Sequence, residues 1–497
     1  MNKQGILHKK YAHQILLVTV ILIGSLLRIW KLGYSGLRLD EAQSVWQASH
    51  TIEYIRFYMA KNVHLPLHNT LLHYWMETFG TSETAVRTLA LIPGLLCLPA
   101  IYLLAKEVLD KERALIATTI AAVSPFWVWY SREIRMYTLL TFASIMSYYF
   151  FVKIIKTHKP GYYLGYILFN ILGIYTHYYF GLVLLVQVIF FIAAWKTQIN
   201  KETKKIYILW GLVISALALI LAFIPWLRML ATATNAGTYA PSLTTPNSFN
   251  MFLSFFEFTF GYQPEEYAAF IIGLWPLIIL LGFIFLTKRQ DPFTYWIYFL
   301  LLGTVLPVVL TFGVSVLAKP VYLTRYLVSA TPLYFILIAW YIDEIRGKLK
   351  YGVLVLLFGL MLISLHNQRT SSYNPKVEDY RAATQYINEN ASPRDLVLLS
   401  PPYNIYPVQY YYSSKARMVT IPFWDRRKSG IPAATAETIE KDTEFLRQGH
   451  QKMYLLISED LENAALVRNY FDNHFTKLEK KQFSKYLWVH VYQAEYL

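Results

Sequence analysis

The sequence predicts a mainly α-helical, polytopic membrane protein of about eleven transmembrane helices, with a small extracytoplasmic α/β domain after the last of them. Three observations predict it. The 497 residues are 55% hydrophobic and only 15% charged, too few charges to cover a soluble globule of that size. Apolar runs of roughly twenty residues recur along the chain, the length a helix needs to cross the hydrocarbon layer with its backbone amides satisfied internally. After residue 370 the hydropathy falls, and helix-period segments alternate with strand-period ones.

Taken in order, the first run covers about 11–30. It has a basic flank, Lys9 and Lys10, and no small-residue cleavage site behind it, so it reads as an anchor rather than a cleaved signal. Ten more runs follow near 85–105, 114–131, 136–155, 161–177, 178–195, 206–227, 267–287, 293–317, 326–342 and 350–366. The short loops after the even-numbered runs are all basic. They hold Lys106, Lys111 and Arg113; Lys153, Lys156 and Lys159; Lys196, Lys201, Lys204 and Lys205; Lys288 and Arg289; and Arg346, Lys348 and Lys350. The positive-inside rule places these loops and the N terminus in the cytoplasm and the C terminus outside, in a cell (plasma or inner) membrane.

That distribution also disposes of nucleic acid as a partner. A net charge of +15 would suit one, but the cations sit in short tracts between apolar runs rather than on one basic face. The single cysteine, Cys97, excludes intrachain disulfides and multi-cysteine metal sites. No internal repeat of the transporter kind is present.

Residues 1–369 are expected to form the transmembrane domain and 370–497 the soluble one. The first outer loop, 32–84, contains two amphipathic stretches, Glu41–Ala60 and Pro66–Phe79, the second begun by Pro66. In the soluble domain, helices are expected near Val377–Asn390, 435–448 and 461–472, and strands at Asp395–Ser400, Lys452–Ile457 and Tyr486–Gln493.

The polar residues worth attention lie at the outer ends of the spans. Asp40 and Glu41 open an amphipathic helix just after the first span, where adjacent carboxylates suit acid/base work or cation binding and equally suit helix capping. Arg132 and Arg135 sit three apart at an outer junction, suited to clamping a phosphate or to snorkelling to the interface. Lys319 and Arg325 lie in another outer connection and carry the same two readings. His177, in Thr176-His177-Tyr178-Tyr179, is the one group in its turn that titrates near neutral pH, and a structural role among tyrosines is the plain alternative. Of the three histidines in 63–73, His64 precedes the Pro66 helix, while His68 and His73, five apart, are poorly spaced for one helical face, so no histidine metal site is expected. The derived orientation puts all of these on one membrane face, at the depth where a lipid-linked phosphate would lie.

These residues resemble the GT-C superfamily of membrane glycosyltransferases that use polyprenyl-phosphate sugars, including protein O-mannosyltransferases and lipid A aminoarabinose transferases. The resemblance runs over nearly the whole chain. It rests on Leu39-Asp40-Glu41-Ala42 in a long first outer loop; on His64-Leu65-Pro66-Leu67, with Leu65 where the family has proline; and on Ser131-Arg132-Glu133-Ile134-Arg135-Met136-Tyr137, Thr176-His177-Tyr178 and Thr324-Arg325-Tyr326-Leu327. Glu378-Asp379-Tyr380-Arg381-Ala382-Ala383 and Ser392-Pro393-Arg394-Asp395-Leu396-Val397 resemble the family's outer domain. The resemblance implies a GT-C-like fold and inverting transfer of a sugar from a polyprenyl-phosphate donor to a hydroxyl acceptor on a protein, lipid or glycan. Asp40 would be the base with Glu41 beside it, Arg132, Arg135, Lys319 and Arg325 the phosphate ligands, and His64, His177 and Tyr326 contacts to substrate. No cofactor is assigned, and metal dependence stays open, because carboxylates near phosphate can recruit a divalent cation. Two other readings stand beside this one, a transporter or flippase of a lipid-linked or anionic solute and a non-catalytic assembly subunit. Transporters place their polar groups at the bilayer midplane, whereas these midspans are apolar.

Overall fold

The structure, a computed structural model, describes every residue except 1–2, 63, 158, 198–201, 234–242, 265–266, 269–293, 371–377, 427–429, 460–462 and 497. The expected span 267–287 falls almost wholly outside the described residues, as do Lys288 and Arg289. Seven helices among the described residues are long and apolar enough to cross a membrane: Tyr11–Ile29, Glu83–Val108, Tyr137–Thr157, Lys205–Thr232, Thr294–Leu317, Thr324–Glu344 and Leu349–Thr370. The chain is a mainly helical membrane protein. Two more expected runs form shorter helices, Gly161–Thr176 and Phe180–Thr197.

The expected run 114–131 is not one helix but two, Lys111–Val123 and Pro125–Tyr130. Ser124 and Pro125 break it. Ser124 Oγ accepts the N–H of Trp127 at 3.3 Å and so caps the second helix, whose first position Pro125 fills without needing a donor. Pro125 has no N–H for the carbonyl of Ala121, and that orphaned acceptor is met from elsewhere. Arg28, fully buried, donates to Ala121 O at 2.9 Å, Ala122 O at 2.8 Å, Gly24 O at 2.8 Å and Ser131 Oγ at 3.2 Å. Gly24 permits this approach, because a Cβ there would lie 2.8 Å from the Cβ of Ala122. The run expected at 326–342 likewise differs, with a 3-10 turn, Thr324–Ala330, leading into the α-helix Thr331–Glu344. Pro332 in the first turn of that helix sets the change.

The chain divides into two compact units, one of residues 1–30, 52–71 and 87–369, the other of 31–51, 72–86 and 370–497. In the first, the helices bury an aromatic-rich core that includes Phe126, Tyr148, Phe256, Phe299 and Phe335. At one end, Arg113 pairs with Asp343 at 3.0 Å and Glu344 at 2.9 Å, and Lys153 with Glu107 at 3.1 Å.

The second unit is built on a five-stranded sheet ordered β2-β1-β3-β5-β4, with β1 Leu396–Ser400, β2 Arg417–Thr420, β3 Lys452–Ser458, β4 Phe475–Gln482 and β5 Leu487–Tyr496. β1 pairs parallel with β2 and β3, whereas β5 runs antiparallel to β3 and β4. Strand alternation explains the two faces. Leu396 and Leu398 join Met453, Leu455 and Phe471 on one side; Val397 and Leu399 join Tyr380, Ile387 and Leu456 on the other. Each fully buried Leu or Val contributes about 1.5–3 kcal/mol, which fixes the register. Tyr380–Asn390, Ile405–Tyr411, Ala436–Arg447 and Ala464–His474 are the helices of this region. β4, the sheet edge, is exposed at every residue after Phe475 and carries Lys477, Lys480 and Lys481.

The first outer loop corrects one expectation. Its stretch Glu41–Ala60 forms two helices, Leu39–Ala48 and Ile52–Lys61, separated at Ser49–Thr51, where the Ser49 hydroxyl turns back to the carbonyl of Trp46 at 2.8 Å. Pro66 precedes the helix Leu67–Phe79 as expected.

Candidate active site

Asp40 and Glu41 belong to the second unit, in the first turn of the helix Leu39–Ala48. Glu41 is buried, and its Oε2 accepts the backbone N–H of Arg38 at 3.0 Å, so this carboxylate does part of the capping that the sequence allowed for. Asp40 is half-buried, and the Ser44 hydroxyl holds its carbonyl at 2.9 Å.

Residues of the C-terminal segment hold this helix in place. The Glu378 carboxylate accepts the N–H of Leu39 at 2.9 Å. Tyr411 Oη receives the N–H of Leu37 at 2.6 Å and donates to Glu83 at 3.0 Å. Arg381 donates to the carbonyls of Tyr34 at 3.0 Å and Gly33 at 3.4 Å and forms an ion pair with Glu83. Glu83, Glu378 and Arg381 had no assigned role in the sequence; Glu378 and Arg381 were visible only as parts of a motif.

The cations occupy the first unit. Arg132 and Arg135, expected three apart on one helical face, lie instead in a non-helical turn between the helices Pro125–Tyr130 and Tyr137–Thr157. There the N–H of Arg135 reaches Glu133 O at 2.7 Å, and the buried Glu133 carboxylate accepts Trp129 Nε1 at 3.0 Å. The turn is packed from behind, since a Cβ on Gly94 would lie 2.4 Å from Ser131 Oγ. Arg325, half-buried in the 3-10 turn, lies over the ring of Tyr326, 5.7 Å from its centroid. The neighbouring Thr324 hydroxyl meets Ser254 Oγ at 2.9 Å, and Ser254 meets Tyr322 Oη at 2.7 Å. Lys319 is exposed, and among the described residues no contact ties it to this group.

His177 brings these parts together. It follows the helix Gly161–Thr176, is 8% exposed, and packs against the rings of Tyr326 at 5.1 Å and Tyr179 at 5.2 Å. Burial lowers its pKa to about 3, helped by the nearby His64, Arg135 and Arg325. His68, which the sequence left without a role, is 5% exposed, bonds Asn69 Oδ1 through Nδ1 at 3.2 Å, and has a pKa lowered to about 4, by burial first and by the charge of Arg135. The i,i+4 spacing of His64 and His68 was the available signal. His73, by contrast, is in the second unit and bonds the carbonyl of Ala48 at 2.8 Å. Among the described residues no group of three or more His, Cys, Asp or Glu side chains is placed to hold a metal ion.

In the first unit His177 therefore sits among tyrosine rings, within electrostatic reach of His64 and of the guanidinium groups of Arg135 and Arg325. Guanidinium groups are suited to an anion, and most to one whose charge grows during a reaction. Residues 63–226 match the family model for dolichyl-phosphate-mannose-protein mannosyltransferase. A crystal structure of ArnT from Cupriavidus metallidurans in the apo state is similar over 98% of both chains, with a TM-score of 0.62 and 12% identity. The same protein bound to undecaprenyl phosphate is similar over 97% of both chains, with a TM-score of 0.54 and 12% identity. The archaeal oligosaccharyltransferase AglB from Archaeoglobus fulgidus, in complex with an inhibitory peptide and a dolichol-phosphate, matches 95% or more of this chain: the similarity covers 97% of this chain and 74% of that one, with a TM-score of 0.51 and 12% identity. Comparison with curated proteins finds no match.

Proposed function

We propose that this chain, which has the GT-C fold of membrane glycosyltransferases, transfers a sugar from a polyprenyl-phosphate donor to a hydroxyl acceptor at the extracytoplasmic face of a cell membrane. The observation that carries this reading is His177 within electrostatic reach of His64, Arg135 and Arg325, in a chain whose fold matches, over nearly its whole length, a protein crystallised with a lipid phosphate.

The chemistry follows from the bonds exchanged. The acceptor oxygen attacks the anomeric carbon, the bond from that carbon to the phosphate oxygen breaks, and the lipid phosphate leaves. The acceptor must lose its proton, and Asp40 takes it as general base, while Glu41 supports the helix turn that presents Asp40. The donor phosphodiester carries about one negative charge, and a second develops as the glycosidic bond breaks, so guanidinium groups bind the transition state better than the ground state. Arg132, Arg135 and Arg325 fill that role, with Lys319 in the same connection as Arg325 adding a weaker, solvent-screened charge. His64 and Tyr326 line the substrate. One direct displacement inverts the anomeric centre. The acceptor is a hydroxyl of a protein, a lipid or a glycan, and the basic loops face the cytoplasm.

The test uses purified chain in lipid with a labelled polyprenyl-phosphate sugar. The wild type releases lipid phosphate in the presence of acceptor, and Asp40→Asn, still folded and membrane-inserted, loses about 10²–10⁴ of the rate. Near-normal transfer by Asp40→Asn would remove this residue from the mechanism.

A further inference from the structure

We propose, resting on the reading just given, that His177 is locked as the neutral imidazole with its proton on Nε2, and that this N–H donates a hydrogen bond to a phosphate oxygen of the lipid donor. The argument begins with the backbone. The helix Gly161–Thr176 stops at Thr176, the N–H of His177 closes back to Gly173 O at 3.2 Å, and the next turn brings the N–H of Tyr179 to Nδ1 of the His177 ring at 3.1 Å. A nitrogen that accepts a hydrogen bond bears a lone pair. In the neutral ring the proton must then reside on Nε2.

Packing keeps the ring from turning over. Tyr179 lies edge-on at 5.2 Å, Tyr326 is tilted at 5.1 Å, and Tyr137 stands at 6.4 Å. The turn is fixed from below by Phe180, whose ring sits where a Cβ on Gly173 would be, 2.2 Å away. A flipped ring would present a carbon to the Tyr179 amide and lose that bond. A doubly protonated ring fares no better, because Nδ1–H would face another donor.

The surroundings oppose a positive imidazole as well. Tyr137, Tyr179 and Tyr326 face the ring, and the charges that bear on it after its own burial are those of His64, Arg135 and Arg325, each of which disfavours a proton on it. The result is a hydrogen-bond donor that adds no charge to a site already rich in guanidinium, and whose capacity does not change between about pH 5 and 8. A neutral donor beside cations is what a phosphate needs once its charge is matched: one more oxygen satisfied, without one more cation to repel the others.

The test takes the full chain in lipid nanodiscs with nitrogen-15 histidine, the His177 signals being assigned by their loss in His177→Phe. Between about pH 8 and 5, Nδ1 should resonate in the unprotonated range and Nε2 in the protonated range, and adding undecaprenyl phosphate should move Nε2 while leaving Nδ1 in place. In binding to undecaprenyl phosphate, His177→Gln, whose amide nitrogen reaches the position of Nε2, should stay within about threefold of wild type, whereas His177→Ala weakens binding about tenfold, the worth of one hydrogen bond to a charged group. A proton on Nδ1, titration within that pH range, or unaltered binding by His177→Ala overturns the inference. If the wild type binds no undecaprenyl phosphate, the proposed function falls together with the ligand named here, while the nitrogen spectrum still decides the protonation of the ring on its own.

Discussion

Arg325 and Lys319 share one connection but differ in surroundings, and the difference is measurable. Arg325 is half-buried beside Tyr326 and close to His177; Lys319 is exposed. Replacing Arg325 by Ala should raise the concentration of lipid donor needed for half-maximal rate about tenfold or more, from the loss of about 1.5–3 kcal/mol of charge-assisted hydrogen bonding. Lys319→Ala should change it by less than about threefold, because an exposed charge is screened. An effect of Arg325→Ala confined to the acceptor would refute the phosphate assignment. His68 offers a second test, through pH. Its folded pKa of about 4 lies below the ordinary value of 6.5, so the folded state binds fewer protons than the unfolded one. Stability from this source is therefore complete above pH 6.5 and declines as the pH falls toward 4, where two to three pKa units amount to about 3 kcal/mol. Thermal unfolding of the full chain in detergent should show the melting temperature dropping across that interval, and less steeply in His68→Gln. The charged candidates were legible in the sequence because charge is scarce at the ends of apolar spans. The neighbours of His68 were not, since Arg135 is distant along the chain and only packing joins them.

Among the elements, the helix Leu39–Ala48 depends on groups far from it in sequence. Arg381 holds the carbonyls of Gly33 and Tyr34 just ahead of it, and Glu378 caps the N–H of Leu39. Arg381→Ala should lower the rate at saturating donor about tenfold while leaving undecaprenyl phosphate binding unchanged, because it loosens the turn that presents Asp40. Equal loss of binding and rate would show general destabilisation instead. Periodicity found the seven long apolar helices among the described residues and the alternation of β1, β3 and β5, where burial dictates the pattern. It missed β2, which is four residues long, and β4, whose Thr-Lys-Leu-Glu-Lys-Lys-Gln run is solvent-exposed and has no apolar face to betray it. It also ran 114–131 together as one span, although Ser124-Pro125 carried the break in plain view. The helix Ser248–Phe260 was missed because at 13 residues it is shorter than a span, although Asn250, Ser254 and Glu257 mark one polar stripe along it.

For the whole molecule, orientation is the decisive measurement. Cys97 is 1% exposed, so introduced cysteines can be read against a silent background. With an impermeant thiol reagent applied from outside, Lys319→Cys and Lys477→Cys should label and Lys348→Cys should not; labelling of Lys348→Cys with protection of Lys319→Cys would reverse the topology. The composition of the second unit has a further bearing, on the order of synthesis. The helix bearing Asp40 is translated early, yet its capping carboxylate Glu378 and the arginine that grips its approach come only after the last described membrane-crossing helix. A nascent chain thus emerges with this helix uncapped by Glu378 and its approach ungripped by Arg381 until the residues just beyond 370 are made, so ribosomal products cut short before residue 370 would lack both contacts.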